Sequence, residues 1–225
     1  MNDKQLVALQ AAKYVQDGML VGLGTGSTAN YFIDELARRQ REEGLKVTTV
    51  ASSTISAQKA QSLQLPIVAL EHISGIDLYV DGADEISPDK TLLKGRGSDL
   101  VKEKLLAKAA QQFIAVADES KLVDYIGQNF VIPIEVIPFA WQLTKRSLEA
   151  LGGTGDLRPN AAKDGYWITS HGNYVLDMKF DPSLDAKSLN DLLSNTPGVV
   201  EHGIFYSLVD AVFIAANGDV DERWA

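Results

Sequence analysis

Between Asp77 and Glu103 the chain reads DLYVDGADEISPDKTLLKGRGSDLVKE, a stretch dense in groups that hold or move protons. Asp77, Asp81, Asp84 and Glu85 place four carboxylates within nine residues, and Lys94 and Arg96 follow on a glycine-flanked turn. A short apolar strand, Leu78 to Val80, empties into Asp81-Gly82-Ala83-Asp84-Glu85. Acids and bases at the end of a buried strand are costly unless they pair or do chemistry. In an open α/β sheet, the carboxyl ends of strands are where ligands sit. The plainer alternative is a solvated acidic turn with Asp as a cap. Asp77, at the strand's start, reads as structural.

A helix opens near Ser98, and its periodicity isolates one acid. Leu100, Leu106, Ala107 and Ala110 lie three, four or seven residues from Glu103 and share its face, while Lys102, Lys104 and Lys108 lie elsewhere. A carboxylate on an apolar face is expected to be desolvated, with its pKa raised toward that of a general base working near neutrality. The alternative is a glutamate at the stripe's edge that reaches water.

The elements around this stretch repeat a strand–helix rhythm. A helix over 3–16 precedes a brief strand, Met19 to Val21, and then Gly22-Leu23-Gly24-Thr25-Gly26-Ser27-Thr28 with a helix to about Glu43. Strand, glycine-rich loop and helix form a candidate phosphate cradle, with N–H groups at the helix start facing the anion and Thr25, Ser27 and Thr28 adding hydroxyls. The loop fits neither the dinucleotide fingerprint nor the P-loop. A tight turn capped at Ser27 or Thr28 is the alternative. Further strands are expected at 47–50, ending in Ala51-Ser52-Ser53-Thr54, and at 67–70, 76–80 and 112–117. His72 reads as a surface or capping residue. Lys121 sits at a strand exit, either within reach of an anion at the first loop or simply on the surface. The rhythm argues for a parallel, doubly wound α/β sheet. From Ile132 the pattern changes to strand–helix–strand–strand–helix–strand, the ferredoxin-like order. Residues 130–204 therefore read as an inserted second domain, with 1–129 and 205–225 forming the first.

Composition narrows the function. The chain has 225 residues, enough for one large domain or one and a half, and 45% are hydrophobic, which argues against disorder. A net charge of −9 argues against a nucleic-acid partner. There is no cysteine, and the three histidines show no metal-ligand spacing, so no metal is expected. The first residues do not read as a signal peptide, and the longest apolar run, Ala211 to Ala216, is too short to span a membrane. A cytoplasmic protein without membrane contact is the expectation.

GLGTGST, VDGADEI, Lys94-Gly95 with Glu103-Lys104, ADESK, PIEVIP and PGVVEHGIF, in this order along essentially the whole chain, resemble the A-type ribose-5-phosphate isomerases. The resemblance implies a Rossmann-like sheet domain with a ferredoxin-like lid. It also implies interconversion of ribose 5-phosphate and ribulose 5-phosphate without metal or organic cofactor, and a homodimer or tetramer. Carried over by resemblance, Thr25, Gly26, Ser27 and Thr28 form the substrate loop. Asp81, Gly82, Ala83 and Asp84 border the sugar, and Lys94, Gly95, Arg96 and Gly97 lie along the reacting oxygens. Glu103 is the proton acceptor, Asp81, Lys94 and Asp84 assist it, and Lys121 binds near the phosphate. The family usually shows Lys-Gly-Gly-Gly-Ala-Ala-Leu, where this chain has Lys94-Gly95-Arg96-Gly97-Ser98-Asp99-Leu100. Arg96 and Asp99 either pair with each other or leave Arg96 to narrow the pocket or touch the sugar. Ser170-His171 replaces the usual Asp-Asn of the lid. Two other readings are a CoA transferase-like or deaminating isomerase on a similar fold, and a non-catalytic sugar-phosphate sensor. A trapped acyl adduct would favour the transferase, and binding without turnover the sensor.

Overall fold

The structure, a computed structural model, describes residues 2–97 and 99–225. They form two compact units: residues 2–83, 102–121 and 208–225, and residues 84–97, 99–101 and 122–207.

The first unit is built on a six-stranded sheet. In chain order it contains α1 (Asp3–Ala12), β1 (Leu20–Leu23), α2 (Ser27–Glu43), β2 (Thr48–Ala51), α3 (Thr54–Ser62) and β3 (Ile76–Gly82). The strands numbered β4 (Glu85–Ile86) and β5 (Leu92–Leu93) belong to the second unit, and α4 (Leu100–Ala109) then leads into β6 (Ala110–Asp118). Both β12 (Ala211–Ala216) and β13 (Asp219–Trp224) close the unit. The spatial order is β13-β12-β6-β3-β1-β2, parallel except for the antiparallel β12–β13 pair. Apolar runs such as Leu78–Val80 and Phe113–Ala117 are fully buried, as strands covered on both faces should be. Asn2 caps α1 by accepting from Gln5 N at 2.8 Å. α1 ends at Ala12 rather than 16, because Tyr14 N and Val15 N bond to Ala11 and Ala12 and tighten the chain into three-residue turns. The strand expected at 67–70 is only a bridge between Ile67 and Thr49, two hydrogen bonds at the sheet's edge, before the chain curls into a 3₁₀ turn at Leu70–His72.

The second unit holds β7 (Ile132–Val136), α5 (Trp141–Ala150), β8 (Thr154–Leu157), β9 (Tyr174–Lys179), α6 (Ala186–Ser194) and β10 (Val199–His202). The antiparallel order β10-β7-β9-β8 is the ferredoxin-like arrangement expected from the element pattern. Its core gathers Ile132, Ile134, Leu148, Leu176, Met178 and Leu189. A small ribbon, β11 (Ile204–Phe205) beside β5 and β4, completes the unit. No helix among the described residues is long and apolar enough to cross a membrane.

Candidate active site

In the first unit, strand order reverses between β1 and β3, with β2 lying beyond one and β6 beyond the other. Loops leaving two such strands open a crevice at their carboxyl ends. From β1 comes Gly24 to Thr28, and from β3 comes Asp81 to Ala83. Asp81 is fully buried and ties the two loops together. Its Oδ1 accepts the N–H of Thr25 at 2.9 Å and of Gly82 at 2.7 Å, and its Oδ2 accepts the Tyr79 hydroxyl. A Cβ on Gly24 would lie 2.2 Å from Asp81 Oδ1, so only glycine lets the loop approach this closely. The Thr25 hydroxyl donates to Ser53 Oγ at 2.8 Å, with Ser52 and Ser56 at 2.9 and 3.2 Å. Tyr79 stacks on Phe113 with ring centroids 4.9 Å apart. Burial, then the charges of Asp81 and Glu103, push its hydroxyl well above the usual phenol range, so it remains a donor.

Glu103 projects from the same helix face as buried Leu100, Leu106 and Ala107, and is itself 6% exposed, whereas Leu105 on the other face is 53% exposed. Ala110, assigned to this stripe by sequence, instead starts β6. Toward the loop from β1, the cap of α2 is Gly26 in an extended, positive-φ conformation with no side-chain hydrogen bond, rather than Ser27 or Thr28. The first-turn N–H groups are thus left facing out of the helix. Lys4 of α1 donates to Ser27 Oγ at 3.1 Å. Lys121 ends a 3₁₀ turn after β6. At Asp118, burial alone would raise the carboxyl pKa. Hydrogen bonds from Ser120 and the charges of Lys121 and Lys4 outweigh it and lower the value.

In the second unit lie Asp84 and the Lys94–Gly97 loop. Lys94 is 4% exposed, its N–H donates to Gly203 O at 2.9 Å, and its Nζ lies 5.6 Å from the centre of the Phe205 ring. Gly95 has φ +91°, and a Cβ there would meet Leu100 Cδ1 at 2.6 Å. The Arg96 guanidinium lies 3.9 Å over the Phe130 ring and 4.0 Å from Asp84 Oδ1. Asp99 accepts from Ser170 Oγ at 3.3 Å. The Arg96–Asp99 pairing open from sequence is therefore not formed: an aromatic face and Asp84 take the guanidinium, and the turn after Thr169 takes Asp99. The opening of the helix near Ser98 lies outside the described residues. Two of the four clustered acids are structural. Asp77 Oδ2 accepts Leu20 N at 2.7 Å, and buried Glu85 accepts the N–H groups of Gly127, Asn129 and Phe130 at 2.6 to 2.8 Å.

The family model of ribose 5-phosphate isomerase A (phosphoriboisomerase A) matches residues 48–219. The chain belongs to this family. It is 45% identical over 218 residues to the ribose-5-phosphate isomerase A of Methanothermobacter thermautotrophicus, covering 96% of this chain and 95% of the relative. Against that of Thermosynechococcus vestitus it is 42% identical over 212 residues, covering 94% and 90%. The ribose 5-phosphate isomerase A structure from Methanocaldococcus jannaschii superposes with a TM-score of 0.93 at 40% identity, covering 99% of this chain and 98% of that one. A D-ribose-5-phosphate isomerase in complex with phospho-erythronic acid superposes at 0.95 with 38% identity, each chain covered completely.

Within this ribose-5-phosphate isomerase A member, Thr25–Thr28, Asp81–Ala83, Glu103 and Lys121 lie in one unit, and Asp84 and Lys94–Gly97 in the other. Three groups escaped the sequence reading. Lys4 was lost in an ordinary amphipathic helix. Tyr79 passed as one more apolar strand residue. The serines at 52, 53 and 56 were visible only as a second strand exit rich in small polar residues, which was the available signal.

Proposed function

We propose that this family member interconverts D-ribose 5-phosphate and D-ribulose 5-phosphate, with Glu103 as the proton acceptor. The observation that supports this most directly is a carboxylate buried on an apolar helix face in a chain of this family. The reaction takes the proton from C2 and returns it to C1, with an enediolate between. One carboxylate above the C1–C2 edge serves both transfers, and a positioned base contributes roughly 10²–10⁴ in rate. Lys94 stabilises the enediolate oxygen, a role worth on the order of 3–4 kcal/mol of the barrier. Gly95, Arg96 and Gly97 line the reacting oxygens. Asp81 passes the hydroxyl proton during ring opening while its other contacts fix the Gly24–Thr28 loop, and Gly82 and Ala83 border the sugar. Asp84 orients Lys94 or a sugar hydroxyl. The phosphate sits on Thr25, Gly26, Ser27 and Thr28, with Lys121 and Lys4 as counter-charges, and this remote binding fixes the reacting end.

The family resemblance supports a cytoplasmic enzyme in which residues 130–204 act as lid and self-association segment. Phe139, Leu143, Tyr166 and Ile168 in this segment are 91%, 71%, 51% and 62% exposed, a cost that burial in a homodimer, or a tetramer, would remove. A coupled assay of ribulose 5-phosphate formed from ribose 5-phosphate, with and without a chelator, tests the activity. Turnover in both arms is expected, and binding without turnover would favour the sensor.

A further inference from the structure

Three successive carbonyls of the Lys94–Gly97 loop converge on one side chain. Arg158 follows β8, and its backbone is fixed on both sides: its N–H donates to Val175 O at 2.8 Å, and its carbonyl accepts Trp167 N at 2.8 Å. Nε and Nη2 grip the Asp177 carboxylate at 2.9 and 2.7 Å, a bidentate pair that locks the plane of the fork. The remaining nitrogen, Nη1, points at the carbonyl oxygens of Gly95, Arg96 and Gly97, at 3.5, 3.2 and 3.1 Å. The Arg158 side chain is 14% exposed, so these contacts are only partly screened. In a planar trans peptide the N–H points opposite to the C=O. Drawing the carbonyls of Gly95 and Arg96 toward Arg158 therefore turns the N–H groups of Arg96 and Gly97 to the other side of the loop.

We propose that Arg158, held by Asp177, is a positioning residue of the isomerase. Its guanidinium fixes the carbonyls of the 95–97 loop so that the opposite N–H groups and Lys94 meet the charge that develops on the sugar oxygens. This rests on the isomerase reading above, and it adds a residue far in sequence from the loop it serves. The fork must act as a fork. Lysine at 158 keeps the charge but cannot grip Asp177 and three carbonyls together.

The test compares Arg158→Ala, Arg158→Lys and Asp177→Asn with the parent chain. It measures turnover, melting temperature, and affinity for phospho-erythronic acid and for inorganic phosphate. For Arg158→Ala, kcat should fall about a hundredfold, the size expected when reacting groups are displaced by about 1 Å. Its affinity for phospho-erythronic acid should fall with kcat, while affinity for phosphate stays within a factor of two. Arg158→Lys should recover only part of the loss, and Asp177→Asn should lose less than the alanine variant. A folded Arg158→Ala with native kcat, or parallel loss of both affinities as from general loosening, would overturn the inference. Should that variant fail to fold, a folded Asp177→Asn with native kcat would overturn it equally. A parent chain that binds phospho-erythronic acid no better than phosphate would instead remove the isomerase reading beneath it.

Discussion

At the scale of single residues, the acids of this stretch are held in different ways. Asp77 accepts one backbone N–H, and Glu85 accepts three. Asp81 is gripped on both oxygens, and Glu103 sits on an apolar face. Lys94→Ala should lower kcat more than it raises KM in steady-state assays, because its charge matters most when the enediolate forms; the reverse pattern would make it a binding residue only. Arg96→Gly should change kcat/KM by no more than about fivefold, because a half-exposed ion pair at 4.0 Å is worth roughly 1 kcal/mol or less. Tyr79→Phe leaves Asp81 Oδ2 without that donor inside the fold. It should cost about 1–3 kcal/mol, read as a lower melting temperature, together with a lower kcat. Glu103 was legible in the sequence because its spacing from Leu100, Leu106 and Ala107 is a helical one. Tyr79 was not, since a hydroxyl buried within an apolar strand leaves no periodic trace.

At the scale of elements, Gln10 of α1 and Tyr14, two residues past its end, both donate to Glu222 of β13, at 2.5 Å each. Burial alone would raise the Glu222 carboxyl pKa, but the hydrogen bonds from Tyr14, Gln10 and Trp224 outweigh it and hold the value below the usual range. A folded-state pKa below the unfolded one means that this stability is fully present above the unfolded value. It is lost as pH falls through the folded value. Glu222→Gln should therefore lower stability at neutral pH by about 1 kcal/mol, read as a lower melting temperature, and the difference from the parent should close in acid. The long elements were readable from sequence because both periodicities are strong: helical over Tyr31 to Leu36, and continuous apolar runs in β3 and β6. What escaped was short or at an edge. β4, β5 and β11 have two residues each, too few to show any period, and β13 reads DVDERW, an edge strand whose charges hide it.

At the scale of the whole molecule, a chain of net charge −9 must hold an anionic substrate against its own field, so the positive groups have to be local. On the proposed reading, Lys4, Lys121 and the start of α2 meet that need in the first unit, and Lys94 in the second. Self-association can be tested separately. The parent should sediment as a dimer or larger, and Leu143→Glu combined with Ile168→Glu should reduce the sedimenting mass to that of one chain. The central claim is that one buried carboxylate carries hydrogen between C2 and C1, and deuterium exchange tests it most directly. Ribose 5-phosphate in D₂O, followed by proton NMR, should exchange its C2 hydrogen rapidly with the parent chain. With Glu103→Gln the exchange should be at least about a hundredfold slower, while phospho-erythronic acid still binds. Exchange at the parent rate in that variant would contradict the account.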